Sequence, residues 1–162
     1  MLIREAAEND LPGILYIHNE AIRTTTAIWD EEEVGLEERH AWWLERGRIG
    51  CPILVCEIDG VVAGYASYGP YRPKSGYRFT VENSVYVRAD HHGRGVAKAL
   101  MPVLISRARE AGLHRILAGI ESGNQVSKAL HARWGFRSVA EMPEVGTKFG
   151  RWLDLTYMQL DL

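Results

Sequence analysis

The chain has 162 residues, of which 46% are hydrophobic and 25% charged, a composition typical of one globular domain spanning residues 1–162. Its 19 Lys and Arg residues nearly balance 21 Asp and Glu residues, so the net charge of -2 provides no general attraction for nucleic acid or an anionic membrane. No apolar stretch approaches the roughly 20 residues that span a bilayer, and the first residues do not resemble a signal peptide, which predicts a cytoplasmic protein.

Hydrophobic periodicity and turn residues predict an α/β fold with a mixed sheet. The Asp59-Gly60 pair between two apolar runs predicts a tight hairpin, because such turns require positive φ angles. In chain order we predict strand 2–6, helix 11–23, a helix ending at Gly47, strands 53–58, 61–68 and 80–88, a helix from Val96 to Gly112, strand 115–120, a helix ending at Gly135, and strands 137–142 and 152–160.

A glycine-rich loop follows strand 80–88 and opens the helix at Val96. Its small residues let the backbone approach a ligand, and the free N–H groups of a first helical turn attract anions. Lys98 is followed by Ala99, so the loop lacks the hydroxyl that a P-loop needs for magnesium. Lys98 also stands where a dinucleotide fingerprint has its third glycine, which makes that match weak. The loop therefore predicts a local anion site of another kind, the alternative being a glycine-rich turn that binds no ligand.

Three blocks of sequence together resemble the GCN5-related N-acetyltransferases (GNAT), most specifically the phosphinothricin and methionine sulfoximine acetyltransferase branch. The blocks are Thr80-Val81-Glu82-Asn83-Ser84-Val85-Tyr86-Val87, His92-Gly93-Arg94-Gly95-Val96-Ala97, and Asn124 with Leu130-His131-Ala132-Arg133-Trp134-Gly135-Phe136. The resemblance covers essentially the whole chain and departs from the family loop at His92, where Gln or Arg is usual. It implies a mixed, mostly antiparallel sheet of about seven strands flanked by about four helices.

The resemblance also implies acetyl-coenzyme A as cosubstrate and assigns residues to it. The pantetheine arm would run beside the strand at Val85, Tyr86 and Val87, pairing with its backbone as an added strand would. Asn124 would hold the arm from the other side. The pyrophosphate would lie on the loop amides of Gly93, Arg94, Gly95, Val96, Ala97 and Lys98.

Two side chains are candidates for the chemistry. Glu82 lies in mid-strand, where an unpaired carboxylate is costly, and would serve as the general base, with a water relay because it is about 10 Å from Val85 along the strand. The alternative for Glu82 is an ion pair with Arg78 or Arg88. His131 occupies the place where many relatives carry a tyrosine proposed to protonate the leaving thiolate; the alternative is an ordinary surface or core histidine.

Two segments are candidates for the acceptor site. In the related branch such regions line a small amino-acid pocket, here implied to involve Ile28, Trp29, Arg72, Lys74, Ser75, Gly76 and Tyr77. A cationic rim suits a substrate carboxylate and an aromatic wall suits a short side chain. The alternative is that Trp29 belongs to the core and that Arg72 and Lys74 are solvated. We predict no metal site, since the adjacent His91 and His92 point apart and no third ligand is near.

The leading hypothesis is an acetyl-coenzyme A-dependent N-acetyltransferase acting directly, in a ternary complex, on a small amino-acid analogue. The resemblance implies methionine sulfoximine, methionine sulfone or phosphinothricin as acceptors, and a homodimer. It also implies an oxyanion held by a backbone N–H in 85–87. Two alternatives remain: a coenzyme A-binding regulator without catalysis, and an acetyltransferase for protein N-termini.

Overall fold

The computed structural model describes residues 1–162 and contains seven strands and four α-helices. The strands are β1 Leu2–Glu5, β2 Ile53–Ile58, β3 Val61–Pro70, β4 Thr80–Val87, β5 Arg115–Glu121, β6 Arg137–Lys148 and β7 Arg151–Asp161. The helices are α1 Leu11–Thr24, α2 Leu36–Arg48, α3 Val96–Glu110 and α4 Gln125–Arg133. One sheet in the order β1-β2-β3-β4-β5-β7-β6 contains all strands, and only β4 and β5 pair in parallel. The predicted mixed, mostly antiparallel fold is confirmed.

The helices cover both faces of the sheet. On one face the apolar side of α3, including Leu100 and Leu104, packs into a core of 19 buried residues. On the other face Ile14 and Ile17 of α1 pack against Tyr65 and neighbouring strand residues. Because both faces bury apolar surface, the central strands are held rigidly on either side. None of the four helices has the length and hydrophobicity needed to cross a membrane.

The Asp59-Gly60 hairpin is confirmed, since Asp59 and Gly60 have φ angles of 52° and 77°. The last hairpin differs more from the prediction: β6 continues to Lys148, whereas the hydrophobic periodicity predicts a strand that ends at residue 142. Its register shifts between Met142 and Gly146, around a proline that has no N–H for a sheet hydrogen bond. The bulge interrupts the alternation of apolar and polar residues, a pattern typical of a loop, but the strand resumes beyond it. The other elements end within one to two residues of their predicted limits.

Strands β4 and β5 diverge halfway along their length. They pair at Thr80–Arg115, Val81–Ile116 and Glu82–Leu117, and pairing stops there. Both strands nevertheless continue, because β3 pairs with β4 as far as Val87 and β7 pairs with β5 as far as Glu121. The divergence therefore opens a gap in the middle of the sheet.

The edge of β4 that faces this gap carries unpaired backbone groups. The N–H of Arg88 and the C=O of Thr80 both turn toward the β3 side. Since successive residues of a strand turn their backbone groups to opposite sides, those of Asn83, Val85 and Val87 face the gap. A ligand with amide groups can hydrogen-bond to such an edge as a further strand would.

The approach of α3 to the sheet depends on Gly64. A Cβ atom at this position would lie 2.6 Å from Cγ1 of Val96 and 2.9 Å from the carbonyl oxygen of Tyr86. We expect Gly64→Ala to lower the free energy of unfolding by about 1–3 kcal/mol in urea titrations, because the backbone oxygen cannot move aside. Gly47→Ala is the control: that site has no atom within 4 Å, and a helical alanine there should stabilise. Equal stability of Gly64→Ala and the unsubstituted chain would contradict the packing argument.

Candidate active site

The gap between β4 and β5 leads into a cavity of about 710 Å³, which the start of α3 and the side of α4 complete. Nearly all the residues that the resemblance assigned to the cosubstrate line it: Val85, Tyr86, Val87, Gly93, Gly95, Val96, Ala97, Lys98 and Asn124, with His131 at the α4 side. Arg94 is the exception, since it is exposed to solvent outside the cavity lining. The structure thus brings together residues from three separate parts of the chain.

The start of α3 presents backbone donors to this cavity. Gly93 and Gly95 have φ angles of 76° and 80°, so the chain turns sharply where a side chain would be strained. The first backbone bond of the helix runs from the N–H of Ala99 to the carbonyl of Gly95, which leaves the preceding helical N–H groups free. The first turn contains no acidic residue. This arrangement fits a phosphate group at the positive end of the helix dipole.

Two further side chains shape the same cavity. Asn124 caps α4, because its Oδ1 accepts a hydrogen bond of 3.0 Å from the N–H of Ser127, and its amide N–H groups remain available. The exposed His92 ring lies 3.0 Å from the carbonyl oxygen of Val87, with Nε2 donating. His92 thus contacts the free edge of β4 at the cavity mouth.

A smaller cavity of about 240 Å³ adjoins the first. Ile28, Trp29 and Glu82 line it, so the structure joins the loop after α1 to the carboxylate of β4. The two cavities share a wall made of Ala27, Asn83, Ser84, Tyr86, Gly119 and Glu121. The two cavities are therefore adjacent to each other.

The Glu82 carboxylate lines the smaller cavity and has no ion-pair partner. Burial raises its pKa, and the nearby Arg72 opposes that effect only in part. The predicted alternative for Glu82 is wrong: Arg88 pairs with Asp90 at 3.0 Å, and Arg78 stacks 4.5 Å above the ring of Phe79. A carboxylate with a raised pKa and no ion-pair partner accepts a proton more readily than an ordinary surface carboxylate does.

His131 is buried, and both of its ring nitrogens are engaged. Nδ1 donates to the carbonyl oxygen of Ser127 at 2.8 Å, which makes Nε2 the acceptor for Nδ2 of Asn83 at 3.1 Å. Burial lowers the pKa of His131, which favours this neutral form. The environment differs from that required of a proton donor, because the single ring proton is already bonded to α4.

The second predicted acceptor segment lies farther out. Arg72 stacks 5.0 Å above Tyr71, whose ring contacts Tyr157 and Tyr77 edge-on at centroid distances of 6.1 and 5.7 Å. This places Arg72 and Tyr77 at an aromatic rim beside Glu82. All five predicted residues of this segment are exposed and line neither cavity: Arg72, Lys74, Ser75, Gly76 and Tyr77.

Several site residues escaped the sequence reasoning. A Cβ at Gly119 would lie 2.8 Å from Oε1 of Glu82, so this glycine makes room for the carboxylate. Oε2 of Glu121 accepts a hydrogen bond from Thr26 at 3.2 Å and ties the loop after α1 to β5. A glycine inside a strand is a signal of close approach and could have identified Gly119, but nothing local distinguishes Glu121.

The family model described as "Acetyltransferase (GNAT) family" matches residues 14–136 of the chain. The chain belongs to the GNAT acetyltransferase family. The resemblance seen in the three sequence blocks is therefore confirmed, and the diverging strands and the glycine-rich loop are features of a GNAT fold in this chain.

Similar proteins extend the comparison over the full length. A protein of Pseudomonas aeruginosa named L-methionine sulfoximine/L-methionine sulfone acetyltransferase is 56% identical, over 99% of this chain and 94% of its own. The structure of YncA from Salmonella typhimurium with its cofactor acetyl-CoA has a TM-score of 0.98 and 49% identity, covering 99% of this chain and 93% of that one. A ribosomal-protein-alanine N-acetyltransferase from Brucella melitensis has a TM-score of 0.99 and 51% identity, with both chains covered completely.

The unpaired Glu82 carboxylate should make the stability of the fold depend on pH. A carboxyl group whose pKa is raised by folding stabilises the fold at low pH, and that contribution is lost as pH rises above the ordinary value. We therefore expect Glu82→Gln to unfold at a higher urea concentration than the unsubstituted chain at pH 7, with the difference shrinking toward pH 4. Glu32→Gln, at an exposed position, serves as the control and should change neither midpoint. A loss of stability in Glu82→Gln at pH 7 would be evidence against an unpaired charge.

Proposed function

We propose that this GNAT enzyme, as one domain spanning residues 1–162, transfers an acetyl group from acetyl-coenzyme A to the amino group of a small amino-acid analogue. The analogues are of the L-methionine sulfoximine, L-methionine sulfone and phosphinothricin type. The observation that carries the proposal is the pair of adjoining cavities, of which the smaller is lined by the unpaired Glu82 carboxylate. The name of the Pseudomonas aeruginosa relative supports the choice of acceptor.

Acetyl-coenzyme A fits the larger cavity in three respects. The free N–H groups at the start of α3 suit its pyrophosphate, and the side chain of Lys98 adds a positive charge beside them. Arg94 would contribute from the solvent side of the loop. The free edge at Val85 and Val87 suits the amides of the pantetheine arm, and the spare N–H groups of Asn124 face the same cavity.

Acetyl-coenzyme A supplies the acetyl group as an activated thioester. Glu82 takes the proton of the acceptor amine, through a water molecule where the carboxylate does not reach it directly. A backbone N–H on the gap edge of β4, at Val85 or Val87, hydrogen-bonds the acetyl oxygen as negative charge develops there. The shared wall lets both reactants meet in a ternary complex, so direct transfer requires no covalent attachment to the protein.

The smaller cavity provides the features that an amino-acid analogue requires. Its accessible lining is mostly polar, which suits the polar groups of such an analogue, and Ile28 and Trp29 are among its apolar lining residues. Arg72 at the aromatic rim offers a positive charge for its carboxylate. We retain Lys74, Ser75, Gly76 and Tyr77 as outer contacts that guide the acceptor toward the cavity.

We assign His131 a positioning role in this scheme. Its two hydrogen bonds join the carbonyl of Ser127 on α4 to the side chain of Asn83 on β4. The two walls of the larger cavity are thereby held at a fixed separation. The thiolate would then take its proton from solvent or from a group other than the neutral, fully bonded imidazole.

Thiol release from acetyl-coenzyme A tests the proposal. We expect turnover with methionine sulfoximine, methionine sulfone or phosphinothricin, and a kcat about 100-fold lower in Glu82→Gln because the proton acceptor is lost. Binding of acetyl-coenzyme A, measured by calorimetry, should be unchanged in this variant. Unaltered turnover in Glu82→Gln at neutral pH would exclude the carboxylate as the base.

The same assay distinguishes the alternatives. The name of the Brucella melitensis structure favours a second candidate, acetylation of a protein N-terminus, so the panel includes peptides that begin with alanine. Turnover of peptides alone would support that candidate, although the cavity of about 240 Å³ suits a smaller acceptor. Coenzyme A binding without turnover of any acceptor would support a regulator.

We further propose that the enzyme is a cytoplasmic homodimer. The edge strand β6 and the start of β7 expose apolar side chains, among them Val139, Val145 and Trp152. An apolar edge strand of this kind is normally covered by a partner. The two free thiols, Cys51 and Cys56, suit a reducing compartment.

Sedimentation velocity tests the dimer. We expect the sedimentation of the unsubstituted protein to give a molecular mass twice that of one 18.3 kDa chain. Trp152→Lys should shift it toward the monomer, because a charge would be buried in the apolar contact. Leu44→Lys, an equally drastic change at an exposed position of α2, should not. A monomer in the unsubstituted protein at micromolar concentration would refute the proposal.

A further inference from the structure

Lys148 is a fully buried cation outside the sites assigned so far. It is the last residue of β6, and only 1% of its surface is exposed. Its Nζ donates to the carbonyl oxygen of Thr25 at 2.7 Å and to that of Ile28. Both acceptors belong to the loop after α1, more than 100 residues away in the chain.

No carboxylate forms an ion pair with this ammonium group. Burial lowers the pKa of Lys148, and Asp30 and Glu31 oppose that effect only from a distance. A buried ammonium without a counterion is costly, and lysine is among the residues that are rarely fully buried. Two charge-assisted hydrogen bonds to the loop and the ring of Phe149, whose centroid is 4.9 Å from Nζ, are the favourable interactions that offset this cost.

The loop that Lys148 holds forms one wall of the acceptor cavity. We call residues 25–29 the 25–29 segment; its members Ala27, Ile28 and Trp29 line the smaller cavity. Within the segment, Nε1 of Trp29 donates to the carbonyl oxygen of Thr26 at 2.9 Å. The segment has little regular secondary structure, so its shape depends on such individual contacts.

A second contact comes from the same end of β6. The ring of Trp29 packs closely against Gly146, where an added Cβ would be only 2.2 Å from two of the ring carbons. Gly146 and Lys148 therefore hold the two ends of the segment from one strand. The position of Trp29 in the acceptor cavity is set by the final residues of β6.

We propose that Lys148 is a positioning residue for acceptor binding: its ammonium group holds the 25–29 segment in the form that closes the acceptor cavity. The inference rests on the proposed function for its consequence, which is tighter binding of a small amino-acid analogue. Lys148 itself does not line either cavity and touches neither reactant.

Lys148→Met tests the inference in the full-length protein. We expect the KM for L-methionine sulfone to rise about tenfold, with kcat and the KM for acetyl-coenzyme A within about twofold of the unsubstituted enzyme. Arg151→Met is the matched control, since Arg151 pairs with Lys148 across the hairpin and is exposed to solvent. It should change none of the three constants. An unchanged KM for the acceptor in folded Lys148→Met, or an equal loss in all three constants, would overturn the inference.

Hydrogen exchange provides a readout that needs no turnover. Peptides covering the 25–29 segment should exchange faster in Lys148→Met than in Arg151→Met, while peptides of α3 exchange alike. If Lys148→Met does not fold, hydrogen exchange in the unsubstituted protein still tests the inference. In the absence of acceptor, the 25–29 segment should exchange as slowly as the end of α1. Unprotected exchange of the segment would refute the inference. Should the unsubstituted enzyme acetylate no member of the acceptor panel, the proposed function fails, whereas the exchange data still report on Lys148.

Discussion

The divergence of β4 and β5 beyond Glu82 and Leu117 is the constraint on which the rest of the site depends. Two parallel strands that stay paired would satisfy each other's backbone groups and leave no room between them. Here each strand is held on its outer side by an antiparallel neighbour, so both can continue without pairing across the gap. The gap exposes a strand edge within the sheet, where burial on both faces keeps it rigid.

The same divergence determines the electrostatics of Glu82. The carboxylate stands where pairing ends, above Gly119, and is largely removed from water without a cation in contact. Desolvation raises its pKa, while Arg72 at the rim limits the rise. The fold thus tolerates an unpaired carboxylate beside the smaller cavity, where the proposed reaction requires a proton acceptor.

Attraction for an anion is local in this protein. The net charge is only -2, yet the start of α3 combines free N–H groups, a helix dipole and Lys98 at one end of the gap. The acceptor side is built differently, from contacts between distant segments: Glu121 binds Thr26, and Lys148 binds the carbonyls of Thr25 and Ile28. One half of the site is therefore a local structure and the other half a tertiary one.

The sequence by itself determined the order of strands and helices, the Asp59-Gly60 hairpin and the glycine-rich turn before α3, because neighbouring residues specify each of them through periodicity, turn chemistry or local spacing. It could not determine how β6 resumes beyond its bulge. It also could not determine the hydrogen bonds of both His131 ring nitrogens or the packing of Trp29 against Gly146. Only the tertiary structure decided these, since each depends on packing between segments far apart in the chain, which no local pattern records.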